Sequence, residues 1–428
     1  MEEALYARAQ MALSLGFHIV FAAIGIAMPV LMVAAEIQHR RTGDAEYLKL
    51  AKQWAKGTAV FFAVGAVSGT VLSFELGLLF PRFMKHAGAV VGFPFSLEAF
   101  AFFTEAVFLG LYLYGWDKLS PRAHIFAGVV VALSGLASAV FVTLVNAWMN
   151  APRGFSLAAD RTLVDVDPVA ALATPFAASS VIHMALAAYM ATAIAVAAVH
   201  AGALLRLRKT GDPSGRRGFH ERALGLALAL SIPTSLVQPI VGHWAGQVVA
   251  EHQPLKLAAM EQLPRTRTMA PVSLGPVAVP GLLSLLAFND PHAQVRGLEE
   301  WPAADRPHAI VKLAFLTMVT LGSALAGLAA WALLTRLRRR GWSRLFLVAC
   351  VVAAPLGYVC IEAGWIVTEV GRQPWVIYEI LRTNDAVTPV RGLAVPLVSF
   401  AAIYALLAFV VFTVLRRHVL ATIEPDHA

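Results

Sequence analysis

Apolar runs long enough to cross a bilayer recur along the chain near positions 12–35, 57–80, 94–115, 125–149, 179–205, 222–241, 309–335, 345–367 and 392–415. A hydrocarbon core of about 30 Å asks for about 20 such residues per helix, so the pattern predicts nine membrane-crossing helices. Seven of the eight intervals are read as short. The only long connection, 242–308, is Pro-rich and loop-like, and a loop of that length usually carries function. No internal repeat or low-complexity segment is visible.

Composition points the same way. The 428 residues are 58% hydrophobic and only 14% charged, with a mean hydropathy of +0.69. Soluble domains carry about 25% charged residues, so an ordinary soluble domain is excluded. The expected fold class is all-α: one polytopic membrane domain spanning 1–428. Its amino terminus, MEEALYARAQ, is acidic and lacks the basic leader of a signal peptide, so the first helix is expected to be retained.

A net charge of +8 would suggest nucleic-acid binding in a soluble protein. Here twenty of the 34 Lys and Arg residues lie in the connections after spans one, three, five and seven and in the carboxy-terminal tail, densest in RLRK at 206–209 and RLRRR at 336–340. The excess therefore reports topology. The positive-inside rule predicts an external amino terminus, a cytoplasmic carboxy terminus and an outward-facing 242–308 loop. The two cysteines, Cys350 and Cys360, are ten residues apart on one run, about 15 Å along a helix, and cannot pair. There is no CxxCH, so covalently attached haem is not indicated.

Ionisable groups inside spans are expensive and usually functional. This chain places His18 in span one, Glu75 in two, Glu98 and Glu105 in three, His183 in five, Lys312 in seven and Glu362 in eight, with Glu369 at its end; Asn146 and Met318 are uncharged candidates. With the predicted topology, His18, Glu98, His183 and Met318 lie early in descending helices, while Glu75, Asn146, Glu362 and Glu369 lie late in ascending ones. All fall in the outer half, which suggests one outward-displaced site. Singly, each has a plain alternative: a histidine can bond a neighbouring helix, and a methionine usually just packs. Glu98 and Glu105 are two turns apart and share a side of their helix, which suits a proton relay or the neutralisation of a nearby cation. A His/Met pair suits a six-coordinate haem iron, while a second His or a carboxylate with an open trans position suits an oxygen site. His200 reads as interfacial, and His39, His86, His124, His220 and His418 as loop or border residues.

With these residues in view, the chain resembles subunit I of the cytochrome bd-type quinol oxidases over nearly its whole length. The resemblance rests on ALSLGFHIVF at 12–21, SLEAFAFFTEAVFLGLYLYGWDKL at 96–119, SAVFVTLVNAWMNAP at 138–152, VIHMALAAYM at 181–190, QPLKLAAME at 253–261, FLTMVTLG at 315–322 and EAGWIVTEVGRQPW at 362–375. It implies that His18 ligates one of two high-spin haems and that Glu369 is associated with the other. It implies that His183 and Met318 ligate a low-spin haem b, that Lys256 and Glu261 in a short-form quinol loop serve quinol oxidation, and that Glu98 and Glu105 line a proton path. Arg372 would neutralise a haem propionate, and Trp365 would lie between cofactors, with Asn146 and Glu75 in the haem surroundings. The cofactors implied are low-spin haem b, high-spin haem b, and haem d or a further haem b. The implied partners are a second hydrophobic subunit (subunit II), membrane lipid, quinol and O2, in the cytoplasmic (inner) membrane; nucleic acid is not among them.

Four departures mark a divergent branch. Leu316 stands where the family commonly has Arg two residues before the ligating Met, leaving open whether Lys312 takes over. The helix-three carboxylates are seven rather than eight apart, the segment entering the loop reads GHW at 242–244, and Asn150 replaces a frequent Gln. The resulting expectation is the haem-bearing subunit of a membrane quinol:oxygen oxidoreductase. Two alternatives stand beside it: a haem-b electron-transfer protein with a non-quinol donor, and a proton-coupled transporter. The transporter is disfavoured by the lack of an internal repeat or paired broken helices.

Overall fold

The computed structural model describes residues 2–212, 215–274 and 277–420. Among the described residues nine helices are long and apolar enough to cross a membrane. They are α1 (Glu2–Thr42), α2 (Ala45–Leu79), α3 (Pro81–Tyr114), α4 (Pro121–Asn150), α5 (Ala177–Thr210), α6 (Arg217–His252), α8 (Ile310–Leu337), α9 (Arg344–Val370) and α10 (Ala394–Val414). A short helix, α7 (Pro254–Glu261), lies between α6 and α8. Each predicted run matches one of the nine to within two residues at its ends, but most helices continue past the run, because a helix can extend its polar ends beyond the hydrocarbon layer. Local chemistry sets the breaks. Asp44, Ser120 and Ser343 accept backbone N–H bonds at the starts of α2, α4 and α9, a cap worth about 1 kcal/mol each. Pro355, with no N–H to donate, interrupts α9 just after Ala353.

Two expectations about the connections need correction. The segment 242–252, read as the start of the long loop, is helical as the last three turns of α6, so GHW lies inside a helix. The connection proper is also folded: it holds α7, small antiparallel strand pairs and a helix over Leu282–Phe288. Nor is it alone, since the connection after α4 forms a hairpin pairing Ser156 with Val164 and a short helix over Pro168–Leu172. Short apolar patches within polar sequence are too brief for a hydropathy window to register.

Successive helices pack as pairs, α1 with α2, α3 with α4 and α5 with α6, and α8 packs against α6 and α9. α1 is the central helix: 61% of its most apolar window is buried, against 11% for α2 and for α10. Where α9 crosses α5, a Cβ added to Gly357 would lie 2.5 Å from Ala191 Cα, so the absence of a side chain permits the close approach. Large apolar side chains such as Phe74, Leu78, Phe100, Phe103, Val395 and Phe409 point outward, as suits a surface that faces lipid or a partner helix.

Because nine spans alternate, the amino terminus and the connections after α2, α4, α6 and α9 share one face of the bundle. Their contacts tie that face together. Gly392 and Leu393 donate backbone N–H bonds to Glu3 at 2.9 and 3.0 Å, Tyr378 N donates to Met149 O at 3.0 Å, and Arg382 pairs with Asp305 at 2.8 Å.

Candidate functional site

The sequence-predicted residues come together in three linked regions near this face. In the first, between α1 and α2, His18 Nδ1 lies 3.0 Å from Ser68 Oγ. Ser68 donates its hydroxyl proton to Val64 O at 2.9 Å, so its oxygen is left to accept from His18 Nδ1–H. That tautomer leaves Nε2 with the lone pair a metal ligand needs. A Cβ at Gly69 would stand 2.9 Å from His18 Cε1, so a glycine makes room for the ring. Two turns beyond Ser68, the buried Glu75 accepts from Gln10 Nε2 at 2.8 Å, with the Ser14 hydroxyl beside both it and Tyr404.

The second region lies among α5, α6, α8 and α9. His183 on α5 faces Gln238 of α6, whose Nε2 is 3.3 Å from the ring Nδ1, and Gly242, where a Cβ would be 3.2 Å from Cε1. Met318 on α8 turns its sulfur toward α9, where a Cβ at Gly364 would lie 3.3 Å away. The helices bearing His183 and Met318 thus share α6 and α9 as neighbours. Leu316 is exposed on α8, and the Lys312 ammonium donates to the Glu261 backbone carbonyl at 3.1 Å, in the connection after α6.

The third region is a buried hydrogen-bonded chain. Lys256 Nζ of α7 donates to Asn150 Oδ1 at 2.5 Å, and Asn150 Nδ2 donates to Asn146 O at 2.8 Å and Oδ1 at 3.1 Å. Asn146 Nδ2 donates to Glu369 Oε1, and Arg372 Nη2 donates to Glu369 Oε2 at 2.7 Å. Gln253 Nε2 joins the chain through Asn150 O at 2.6 Å. Lys256 and Arg372 are each 2% exposed, so the supposed loop lysine sits inside the protein. Burial, with Arg372 adding to it, pushes the Lys256 ammonium well below its usual range, and Glu369 opposes this. Burial likewise lowers Arg372, again opposed by Glu369. Arg372 Nε and Nη1 are buried with no hydrogen-bond partner among the described residues. Trp365, half-buried, lies one turn before Glu369 on α9.

A carboxylate seam along α3 and α4 completes the picture. Ser138 donates to Glu98 at 2.9 Å, and the buried Glu105 packs against Gly135 of α4, whose added Cβ would lie 3.2 Å from the carboxyl group. Burial holds Glu261, at the end of α7, above the ordinary carboxylate range, while Lys312 pulls it down.

Three histidines belie their interfacial (His200) or border (His124, His220) readings. His124 is 1% exposed and bridges Glu36 Oε2 and Tyr112 O, each at 2.9 Å, while His200 and His220 are buried with their Nδ1 atoms 3.0 Å apart. Glu36, wholly buried, went unnoticed; its signal is a lone acid one residue beyond the run ending near 35 that α1 carries on to Thr42. Glu362 Oε1 is also buried without a partner, and its Oε2 sits 3.3 Å from where a Cβ on Gly16 would be.

No three His, Cys, Asp or Glu side chains converge as a metal cluster among the described residues. Imidazole and thioether donors packed close against glycines of neighbouring helices, and a buried guanidinium with two unmatched N–H groups that asks for an anion, are the donor types that suit the iron and propionates of a haem. The class the fold and site define is a multi-pass membrane protein with imidazole, thioether, carboxylate and guanidinium groups enclosed among its helices.

Residues 6–422 match the profile of the family described as cytochrome bd terminal oxidase subunit I, and the chain belongs to that family. It is 36% identical over 436 residues to a protein of Bacillus subtilis (strain 168) named as a cytochrome bd menaquinol oxidase subunit I, covering 98% of each chain. A cytochrome bd ubiquinol oxidase subunit 1 from the same organism is 28% identical over 450 residues, covering 97% of this chain and 94% of that one. Among solved structures, the bd oxidase from Geobacillus thermodenitrificans superposes with a TM-score of 0.90 at 36% identity, covering 99% of each chain. The family and the nine-helix fold expected from sequence are therefore both met, and the chain is a subunit of a quinol oxidase.

Proposed function

We propose that this chain oxidises quinol at the face carrying its amino terminus and the 253–309 connection, and reduces O2 to water within the same half of the bundle. That face would be external on the distribution of Lys and Arg, the protein would lie in the cytoplasmic membrane, and protons for water would be drawn from the cytoplasm. Haem, when bound, supplies one-electron transfer and O2 binding. His183 and Met318 would hold a low-spin haem b, while His18 and Glu369 would hold or adjoin two high-spin groups, one of them haem b and the other haem d or a further haem b. Arg372 would neutralise a propionate with its free N–H groups. Glu105 and Glu98, stacked two turns apart, would pass protons outward along the α3–α4 seam. A second hydrophobic subunit, as the family pairs them, would cover the outward apolar faces.

The observation that carries this reading is the buried chain from Lys256 through Asn150 and Asn146 to Glu369 and Arg372. It joins the helix expected to meet quinol to the carboxylate expected at the oxygen site. Membership in a family of terminal oxidases decides against the transporter. A reduced-minus-oxidised spectrum of the purified complex tests the proposal. His183→Ala should remove the low-spin haem signal and leave the high-spin signals largely in place; a wild-type preparation without any haem signal overturns the reading.

A further inference from the structure

The 253–309 connection docks on the membrane helices through α7. Met260, near its end, packs in an apolar cluster with Val311 and Ala314 of α8 and Ala363 and Val367 of α9, with Met318 at the margin. Glu261 follows at the edge of this cluster, and its carboxylate takes part in no hydrogen bond among the described residues. The end of α7 is held from outside by Lys312, whose ammonium donates to the Glu261 carbonyl at 3.1 Å. A cation there also suits the negative end of the helix dipole.

A lysine in the first turn of a spanning helix ordinarily extends its stem toward water and headgroups. Lys312 is only half-buried, yet its ammonium turns to α7 and acts on the Glu261 carboxylate as well as on its carbonyl. Other charges near this corner are committed elsewhere. Glu299 accepts from Thr266 N at 2.9 Å, Glu300 binds Arg296 and Thr266, and His308 Nδ1 accepts from Ile310 N at 3.1 Å. Lys312 is the one charged group that shifts Glu261 among the described residues. It is also six residues before Met318 on α8, a rise of about 9 Å.

We propose that Lys312 is a positioning residue of the quinol-oxidising site, clamping the end of α7 so that the Glu261 carboxylate stands free beside the apolar cluster to take a hydroxyl proton from bound quinol. The inference rests on the reading that α7 serves quinol oxidation and that the acceptor lies between His183 and Met318. Quinol loses two electrons and two protons in becoming quinone. As each hydroxyl O–H bond breaks, the carboxylate takes the proton and releases it to the aqueous face, and the accompanying electron leaves toward the Met318 side. Lys312 supplies a cation at this corner that Leu316, exposed and uncharged, does not.

The test uses the intact two-subunit oxidase with a defined short-chain quinol over a range of pH. Glu261 must be ionised to accept a proton, and Lys312 favours the ionised form, so removing the cation moves the acid limb of quinol oxidation to higher pH. Lys312→Met should move it by about one unit and lower the rate near neutral pH several-fold, while the haem difference spectrum keeps its wild-type amplitude. Lys312→Gln keeps a donor for the carbonyl without the charge and should also move the limb, whereas Lys312→Arg should restore the wild-type profile. If Met and Gln variants with a full haem spectrum keep the wild-type profile while Glu261→Gln loses quinol oxidation, Lys312 has only a structural role and the proposal falls alone. If Glu261→Gln also oxidises quinol normally, the assignment of α7 to quinol falls with it. Should Lys312→Met fail to assemble, the Gln and Arg pair decides by the same profile.

Discussion

Replacing Asn150 by Leu tests the link between α7 and the Glu369 corner most directly. Leucine branches at the same carbon and has as many side-chain heavy atoms as asparagine, but it neither accepts from Lys256 nor donates to Asn146. Three hydrogen bonds go, at 2.5, 2.8 and 3.1 Å, and one of them is to a charged group that is 2% exposed. Hydrogen bonds to charged groups contribute about 1.5–3 kcal/mol, and stranding one partner of a buried charge costs about 3–5 kcal/mol. Lys256 can relieve part of that by giving up its proton, a change that burial already favours. A net loss of about 3 kcal/mol in docking α7 is therefore reasonable, close to 100-fold in an equilibrium at about 1.4 kcal/mol per tenfold. If quinol binds only with α7 docked, its KM should rise by up to that factor while the haem difference spectrum persists. Asn150→Gln, the residue frequent at this position, keeps both donor and acceptor and should stay within a few-fold of wild type. The assay is quinol-dependent oxygen consumption across a quinol titration. A Leu variant with full haem content and a KM within twofold of wild type would refute the reasoning.

Other outcomes follow from the same geometry. Because burial raises Glu261, quinol oxidation by the wild-type enzyme should decline as pH falls through a value above the ordinary carboxylate range, and a rate profile that stays flat down to the usual carboxylate pKa would contradict this. Gly69→Ala places a carbon 2.9 Å from His18 Cε1, so the ring must shift; haem content measured by extraction should drop, and unchanged content would show that the ring has room to spare. His124→Ala leaves the fully buried Glu36 without its nearest partner and should cost several kcal/mol, on the order of 3–5, read as a lower melting temperature of the solubilised protein.

The bundle and the deep polar residues were legible in sequence for a physical reason. A spanning helix satisfies its backbone within one segment, so about 20 apolar residues announce it locally, and any charge within the run stands out. His18, Glu98, Glu105, His183 and Met318 were found this way, and GRQPW with the KLAAxE segment tied them to a family. The long helical tails past the apolar runs were not legible, and one of them hid Glu36.

What tertiary structure decided was partnership. Glu36 and His124 are 88 residues apart, Lys256 and Asn150 are 106 apart, and Lys312 and Glu261 are 51 apart. Local pattern says whether a residue is costly to bury but not which distant group removes the cost. So Lys256 reads as a loop residue until α7 folds against α4 and α9, and His200 reads as interfacial and His124 and His220 as border residues until the helices extend and enclose them. The sequence determined nine spans apolar enough to cross a membrane and the imidazole, thioether and carboxylate side chains set within or beside them. The packing of α7 onto the bundle decided how Lys256 reaches Asn150 and, through Asn146, Glu369, because only contact in space can pair a buried cation with the groups that hold it.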